Sequence, residues 1–296
     1  MARVAVTGSS GLIGSALVAA LRERGDEVVR LVRRAPSGAD EVRWDPASRY
    51  LDPTVLDGVD AVVNLAGAGV GDRRWTPSYK HEILASRTDS TTAVAGAVAA
   101  MDGPVRLVSG SAVGYYGDRG DEELTERSAP GAGFLADVTR AWEAATQPAV
   151  EAGAPVAVVR TGIVLARKGG AMDRLLTLAR LGLAGPLGSG RQFWPWITLP
   201  DTVGALLHLV DHPEVTGPVN LAAPSPARQR EVVAALGRAL DRPALLPAPS
   251  PALRLVLGEF AGEILASQRV VGEALAAGGF ACTHTDIDSA AAWLVA

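Results

Sequence analysis

The chain has few of the residues that build staples and metal clusters. Its single cysteine, Cys282, rules out an intramolecular disulfide and any zinc site made of several thiolates. Only two of its 28 basic residues are lysines, Lys80 and Lys168, so nearly all positive charge is guanidinium. There is no block of like charge and the net charge is −4, which argues against a nucleic-acid partner. No apolar run reaches the ~20 residues of a membrane span. The start, MARVAVTGSSG, runs from one arginine into a glycine-rich turn, unlike a signal peptide. These absences lead to the expectation of a cytoplasmic protein with a small-molecule partner and no membrane. With 48% apolar and 20% charged residues over 296 positions, the composition is that of a globular protein with one large domain or two unequal ones.

The first half alternates short β-branched runs with longer amphipathic stretches. RVAVT (Arg3 to Thr7), Glu27 to Val32, Asp60 to Leu65, Val105 to Ser109 and Val156 to Thr161 read as strands. Leu12 to Arg24, Pro77 to Met101 and Phe134 to Ala152 read as helices, the second opened by Thr76 as N-cap and Pro77. This alternation predicts βαβ units and a parallel sheet. In the second half, Gly182 to Gly190 reads as loop, Asp201 to Val210 and Arg228 to Leu240 as helices, and Pro218 to Ala222 as a strand. The four prolines of Arg242 to Pro251 read as a rigid connector, followed by two or three short helices. The expected fold is α/β, a Rossmann-type doubly wound parallel sheet with a small C-terminal α+β lobe. The sheet domain is expected over 1–165, with 195–220 returning to it, and the lobe over 166–194 and 221–296.

Val4 to Leu17, VAVTGSSGLIGSAL, holds Gly8, Gly11 and Gly14 at three-residue spacing between a strand and a helix. The chemistry of a dinucleotide site requires this placement. The first glycine makes the tight turn, the second admits a pyrophosphate, and the third lets helix and strand pack. Phosphates then meet the helix N-terminus. Thr7, Gly8, Ser10, Gly11, Leu12, Ile13 and Gly14 are the candidate contacts. After the second strand, where an acid would meet the ribose of NAD, the chain has Arg33 and Arg34. Two guanidiniums suit a 2′-phosphate, so NADP(H) is the expected cofactor; solvated surface arginines are the bland alternative.

The glycine turn, NLAG (Asn64 to Gly67) and SGSAVGYYG (Ser109 to Gly117) resemble the extended short-chain dehydrogenases/reductases. More narrowly, the chain resembles the epimerase family protein subgroup. The narrower likeness is carried by RRWTPSYKHEILASRTDST (Arg73 to Thr91), GYYGD, RTGIVLARKGGAM (Arg160 to Met172), GPLGSGRQFWPWI (Gly185 to Ile197) and the tail. It implies a Rossmann-type domain, NADP(H) binding and a small C-terminal lobe, with Leu65, Ala66, Gly67 and Ser109 beside the cofactor. It implies no particular substrate. Thr198 stands where the subgroup has a histidine, and a proline usual in the tail is replaced near Gly272.

Enzymes of the wider family use a serine and a Tyr-x-x-x-Lys, in which the lysine lowers the phenol's pKa. This chain has no Tyr-x-x-x-Lys; the matching positions on the third long helix hold Leu135 and Thr139. Ser111 is retained, and Tyr115 and Tyr116 follow it. These three are the candidate catalytic residues, with packing of a loop wall as the alternative for the tyrosines. Arg119, four residues after Tyr115, is a possible partner for it. Arg191, Trp194 and Trp196 are candidate substrate contacts, the alternative being an aromatic packing cluster. Arg87 either reaches the cofactor or sits in a surface ion pair. His208 and His212 lack a third ligand, and no metal is expected. The expectation is an NADP(H)-dependent oxidoreductase on an unidentified small carbonyl or alcohol. The rivals are a catalytically silent NADP(H)-binding regulator and a sugar-nucleotide epimerase.

Overall fold

The computed structural model describes residues 1–170 and 172–296. In chain order the first half contains β1 (Arg3–Thr7), α1 (Leu12–Glu23), β2 (Glu27–Val32), β3 (Glu41–Arg43) and β4 (Ala61–Asn64). There follow α2 (Pro77–Ala99), β5 (Arg106–Ala112), β6 (Glu123–Leu124), α3 (Phe134–Ala144), α4 (Gln147–Glu151) and β7 (Val156–Thr161). The second half opens with β8 (Ile163–Leu165), α5 (Met172–Arg180), β9 (Phe193–Trp194), β10 (Trp196–Thr198), α6 (Leu199–Asp211) and β11 (Gly217–Leu221). It closes with β12 (Ala227–Arg228), α7 (Gln229–Leu240), α8 (Ser250–Leu257), α9 (Phe260–Leu265), β13 (Arg269–Val270), α10 (Glu273–Ala277) and α11 (Ile287–Val295).

Seven strands form one sheet in the order β11-β7-β5-β4-β1-β2-β3, every pairing parallel. The order reverses between β1 and β4, the point at which open α/β sheets hold a ligand crevice outside the carboxyl ends of their strands. The strands are apolar on both sides because helices cover both faces. On one face Leu17 and Leu21 of α1 and Leu206 and Leu209 of α6 pack on Val4, Val6, Val63 and Val108. On the other, Val94 and Val98 of α2 and Ala149 of α4 pack on Val62, Leu107 and Val156. A third core, built from Leu176, Trp194, Trp196, Val233, Leu236 and Leu294, holds the smaller lobe.

The sequence boundaries hold to within a few residues for most elements, with informative exceptions. The helix expected over Phe134 to Ala152 is two helices, because Pro148 has no N–H to continue the ladder and the Thr146 hydroxyl bonds back to Glu143 O at 2.7 Å. The proline-rich connector ends in a helix, α8, and four short helices follow residue 249 where two or three were expected. The edge strand β3 has three residues, too few to show a period, whereas α5 is amphipathic, with Met172, Leu176 and Ala179 buried on one face, a signal that sequence reasoning missed. Among the described residues no helix is long and apolar enough to cross a membrane.

Candidate functional site

β1 ends at Thr7 and the chain turns sharply at Gly8, whose φ of +63° is open to glycine. A Cβ at Gly8 would lie 2.6 Å from Leu65 O, and one at Gly14 would lie 2.2 Å from Gly8 O. Gly14 therefore lets α1 pack against the turn. At Gly11 a Cβ would meet only Gly8 O, at 3.3 Å, so its outer side is open. Gly11 is the N-cap of α1 and carries no side-chain cap, which leaves the first-turn N–H groups without intrahelical partners. Ser10 and Gly11 are exposed, and Leu12 and Ile13 half-buried. An uncapped helix start with an open side at Gly11 fits the diphosphate of a dinucleotide.

Thr7 is fully buried and works from beneath. Its hydroxyl donates to Asn64 Oδ1 at 2.7 Å and accepts from the N–H groups of Leu65 and Ala66 at 3.0 and 3.1 Å. Asn64 in turn donates to Thr91 Oγ1, as does the Trp142 indole, each at 2.9 Å. This network fixes the Leu65–Ala66–Gly67 loop at the crevice edge. Ser109 is buried in register with Asn64 and presents nothing to the crevice surface. Arg87 lies against Gly67: a Cβ there would sit 3.3 Å from the Arg87 side chain. Its guanidinium stacks over Trp142 and donates to Ile83 O at 3.0 Å, with no acidic partner among the described residues. Burial lowers its pKa to about 10, so it stays charged at neutral pH. The surface ion pair weighed for Arg87 is not formed.

The two arginines beyond β2 separate. Arg34 is committed to Glu41 on β3 through both guanidinium nitrogens and holds that carboxylate's pKa down to about 2. This corrects the paired role expected for Arg33 and Arg34. Arg33 is exposed, with no acidic partner among the described residues, and is the guanidinium left free beside the crevice.

At the carboxyl end of β5 the Ser111 hydroxyl donates to Glu143 Oε1 at 2.7 Å. The Glu143 carboxylate also binds Arg160 of β7 through two bonds, 2.8 and 2.9 Å long. Arg160 reaches on to the Tyr116 hydroxyl at 3.0 Å and lies 3.5 Å over the Tyr115 ring. Burial opposes the Arg160 charge, but its bonds to Glu143 outweigh that and hold its pKa above the ordinary value. Tyr116 is wholly enclosed; its hydroxyl lies 2.7 Å from Asn220 Oδ1 and 3.0 Å from Thr125 O. Burial pushes its pKa up. Tyr116 is thus a buried strut and cannot reach a substrate, while Tyr115 remains half-buried at the surface of the same cluster. Arg119 pairs with Glu122 rather than with a tyrosine. Thr139 turns its hydroxyl back to Leu135 O at 2.9 Å. Sequence reasoning missed Glu143 and Arg160 as members of this site; Arg160, ending an otherwise apolar strand, was the available signal.

The aromatic loop is also corrected. Trp194 and Trp196 are 8% and 1% exposed, and their indoles donate to Ile264 O and Ser225 O. They pack the lobe, and only Arg191 of the three candidate substrate residues is exposed. Thr198 caps α6 and bonds Asp201 Oδ2 at 2.6 Å. His284 from the tail lies 3.1 Å from Thr198 and 3.0 Å from the same Asp201 oxygen, so an imidazole arrives at this position from elsewhere in the chain.

The NAD dependent epimerase/dehydratase family model matches residues 4–222, and a domain of unknown function, DUF1731, matches residues 248–294. Epimerase family protein Mb2239 of Mycobacterium bovis is 46% identical, covering 97% of this chain and 95% of its own. The crystal structure of human epimerase family protein SDR39U1 (isoform2) with NADPH superposes with a TM-score of 0.91 at 35% identity, over 99% of this chain and 98% of that one. A nucleoside-diphosphate sugar epimerase from Corynebacterium glutamicum matches with a TM-score of 0.80 at 37% identity, over 98% of this chain and 57% of that one. Fold, glycine turn and these identities together make the chain a member of the NAD dependent epimerase/dehydratase family.

Proposed function

We propose that the protein is an NADP(H)-dependent oxidoreductase of the cytoplasm, acting on a small carbonyl or alcohol. The observation that carries the reading is the open glycine turn with Arg33 free beside it, in a chain 35% identical to a protein crystallised with NADPH. Gly11 and the first turn of α1 would hold the diphosphate, Arg33 the 2′-phosphate, and Gly67 and Arg87 the opposite rim. When bound, the nicotinamide supplies or takes up hydride. Charge developing on a carbonyl oxygen needs a hydrogen-bond donor, and Ser111 with Tyr115 are the hydroxyls at the sheet end. The Ser111 proton must leave Glu143 to serve, so slow turnover is expected.

The same observations support a second reading, a silent NADP(H)-binding regulator, because Ser111 and Tyr116 are committed to internal bonds. A sugar-nucleotide epimerase would need an acid–base phenol on α3, where Leu135 and Thr139 stand. Single-turnover oxidation of bound NADPH across a carbonyl panel tests the choice. Turnover lost in Ser111→Ala supports the oxidoreductase; no oxidation with any compound favours the regulator.

A further inference from the structure

Among the described residues, seven of the ten large apolar side chains that stand exposed belong to two short stretches of the smaller lobe. Leu178, Leu181 and Leu183 lie in the last turn of α5 and just beyond it. Leu245 and Leu246 lie in the proline-rich connector, and Leu255 and Val256 follow on α8. Every charged residue between 174 and 200, and between 242 and 258, is an arginine, in a chain whose net charge is −4. We propose that the face formed by the end of α5 and the connector docks on an anionic bilayer surface. Its five leucines would enter the headgroup layer, and Arg174, Arg180 and Arg242 would meet the lipid phosphates and carboxylates.

Backbone contacts hold these two segments side by side. The Leu183 N–H closes on Leu178 O at 2.8 Å, the Arg242 Nε–H donates to Arg180 O at 3.4 Å, and the Leu246 N–H donates to Ala184 O at 3.3 Å. A Cβ at Gly182 would lie 3.5 Å from the Pro243 ring, and one at Gly185 would lie 2.0 Å from Leu246 O, so only glycine at 185 admits this approach. The leucines therefore ride on a fixed frame that includes Arg180 and Arg242, and Arg174 stands one turn before Leu178 on α5. α5 buries Met172, Leu176 and Ala179 in the lobe core; Leu178 and Leu181 lie outside that core. The five leucines leave roughly 500 Å² of apolar surface open, near the upper end for a soluble monomer.

Charge and composition choose among occupants. A second copy related by a two-fold axis would bring arginines against arginines. Protein interfaces draw on aromatic anchors and regular hydrogen bonds, and neither 174–183 nor 242–257 contains an aromatic residue. Of the acids that flank the arginine-only stretches, Asp173 accepts the Gly169 N–H at 3.3 Å, Asp201 is buried and Glu259 pairs with Lys80; Asp241, beside Arg242, remains. Aliphatic side chains among guanidiniums suit the boundary between acyl chains and anionic headgroups. Among the described residues no helix is fit to span a membrane, and that absence does not bear on docking at its surface.

The test is cosedimentation of the full chain with lipid vesicles. Vesicles of phosphatidylcholine with phosphatidylserine should pellet the protein, phosphatidylcholine alone should bind it roughly tenfold more weakly, and salt should release it. Arg180→Gln/Arg242→Gln should weaken binding to the anionic vesicles roughly tenfold, and Leu245→Ser/Leu246→Ser should weaken it as much. All four side chains belong to exposed residues, so both variants should keep the wild-type Tm. Val150→Ser, an exposed residue on α4 of the sheet domain, should bind like wild type. Failure to pellet with anionic vesicles, equal binding to both vesicle types, or unchanged binding by either double variant overturns the proposal. A lipid-free dimer in sedimentation velocity that Leu245→Ser/Leu246→Ser dissociates would assign the face to a second copy and overturn it as well. Binding to soluble polyglutamate as tight as to the vesicles would assign it to an acidic protein, with the same consequence.

Discussion

Gly11 and Gly14 lie one turn apart in the same motif, yet the structure assigns them opposite sensitivities. An added Cβ at Gly14 would sit 2.2 Å from Gly8 O and 2.8 Å from Gly8 C, both backbone atoms in a turn that cannot yield without moving Thr7. Overpacking against backbone costs about 3 kcal/mol or more, so Gly14→Ala should lower Tm by roughly 6 °C in a chain this long. At Gly11 the only neighbour is one carbonyl at 3.3 Å and the residue is exposed. Losing an N-cap glycine costs about 0.5–1 kcal/mol, so Gly11→Val should stay folded within about 2 °C of wild type. Binding should behave in reverse. The isopropyl group of Gly11→Val occupies the open side where the diphosphate must approach, and NADPH affinity should fall at least about 100-fold, or ~2.7 kcal/mol. Thermal unfolding followed by circular dichroism, paired with fluorescence titration of NADPH, reads both effects. A folded Gly11→Val that binds NADPH normally refutes the site; a Gly14→Ala as stable as wild type refutes the packing argument.

The two arginines should divide their effects. Arg33→Gln should erase most of an NADPH-over-NADH preference of about tenfold, ~1.4 kcal/mol, measured by calorimetry. Arg34→Gln should act on acid stability instead: Glu41 is depressed from 4.5 to about 2, so its stabilisation is present above 4.5 and lost as pH falls toward 2. Removing Arg34 should therefore raise the pH at which acid unfolding begins, and an unchanged acid transition would contradict the pairing. Tyr116→Phe should cost about 1–3 kcal/mol in urea unfolding by stranding Asn220 and Arg160, whereas Tyr115→Phe should leave stability unchanged and slow any NADPH turnover. Glu143→Leu should cost about 3–5 kcal/mol because it leaves the enclosed Arg160 charge unpaired; a variant within 1 kcal/mol of wild type would show the ion pair is dispensable.

The parts of the site that could be read from sequence are those governed by local backbone demands. Gly8 needs a positive φ and Gly14 needs the absence of a side chain, and both demands leave glycines at fixed spacing. The Ser111–Glu143–Arg160–Tyr116 cluster left no such mark. Its members come from a strand, a helix, another strand and a turn, and only the register of β5 with β7 sets Ser111 opposite Arg160. Arg34 looked equivalent to Arg33 because its partner, Glu41, sits on a three-residue edge strand with no periodic signature. Trp194 and Trp196 lie in a segment whose glycines and proline suggest an exposed loop, but short pairings of β9 with β12 and β10 with β8 draw them into the lobe core.

The strand order also governs how the chain can be assembled. β11 completes the sheet beside β7, yet 55 residues separate the end of β7, Thr161, from the start of β11, Gly217, and that interval contains part of the lobe and the helix α6 that covers α1. During synthesis β7, with its apolar run VAVV, must wait as an open edge until residues 217–221 emerge. Parallel pairing across so long an interval closes slowly, because the loop entropy is lost before any contact returns it. The cofactor domain is therefore not a separable module. A fragment cut after residue 165 retains the glycine turn but exposes both the β7 edge and the apolar faces that α6 covers, and it should aggregate rather than bind NADPH.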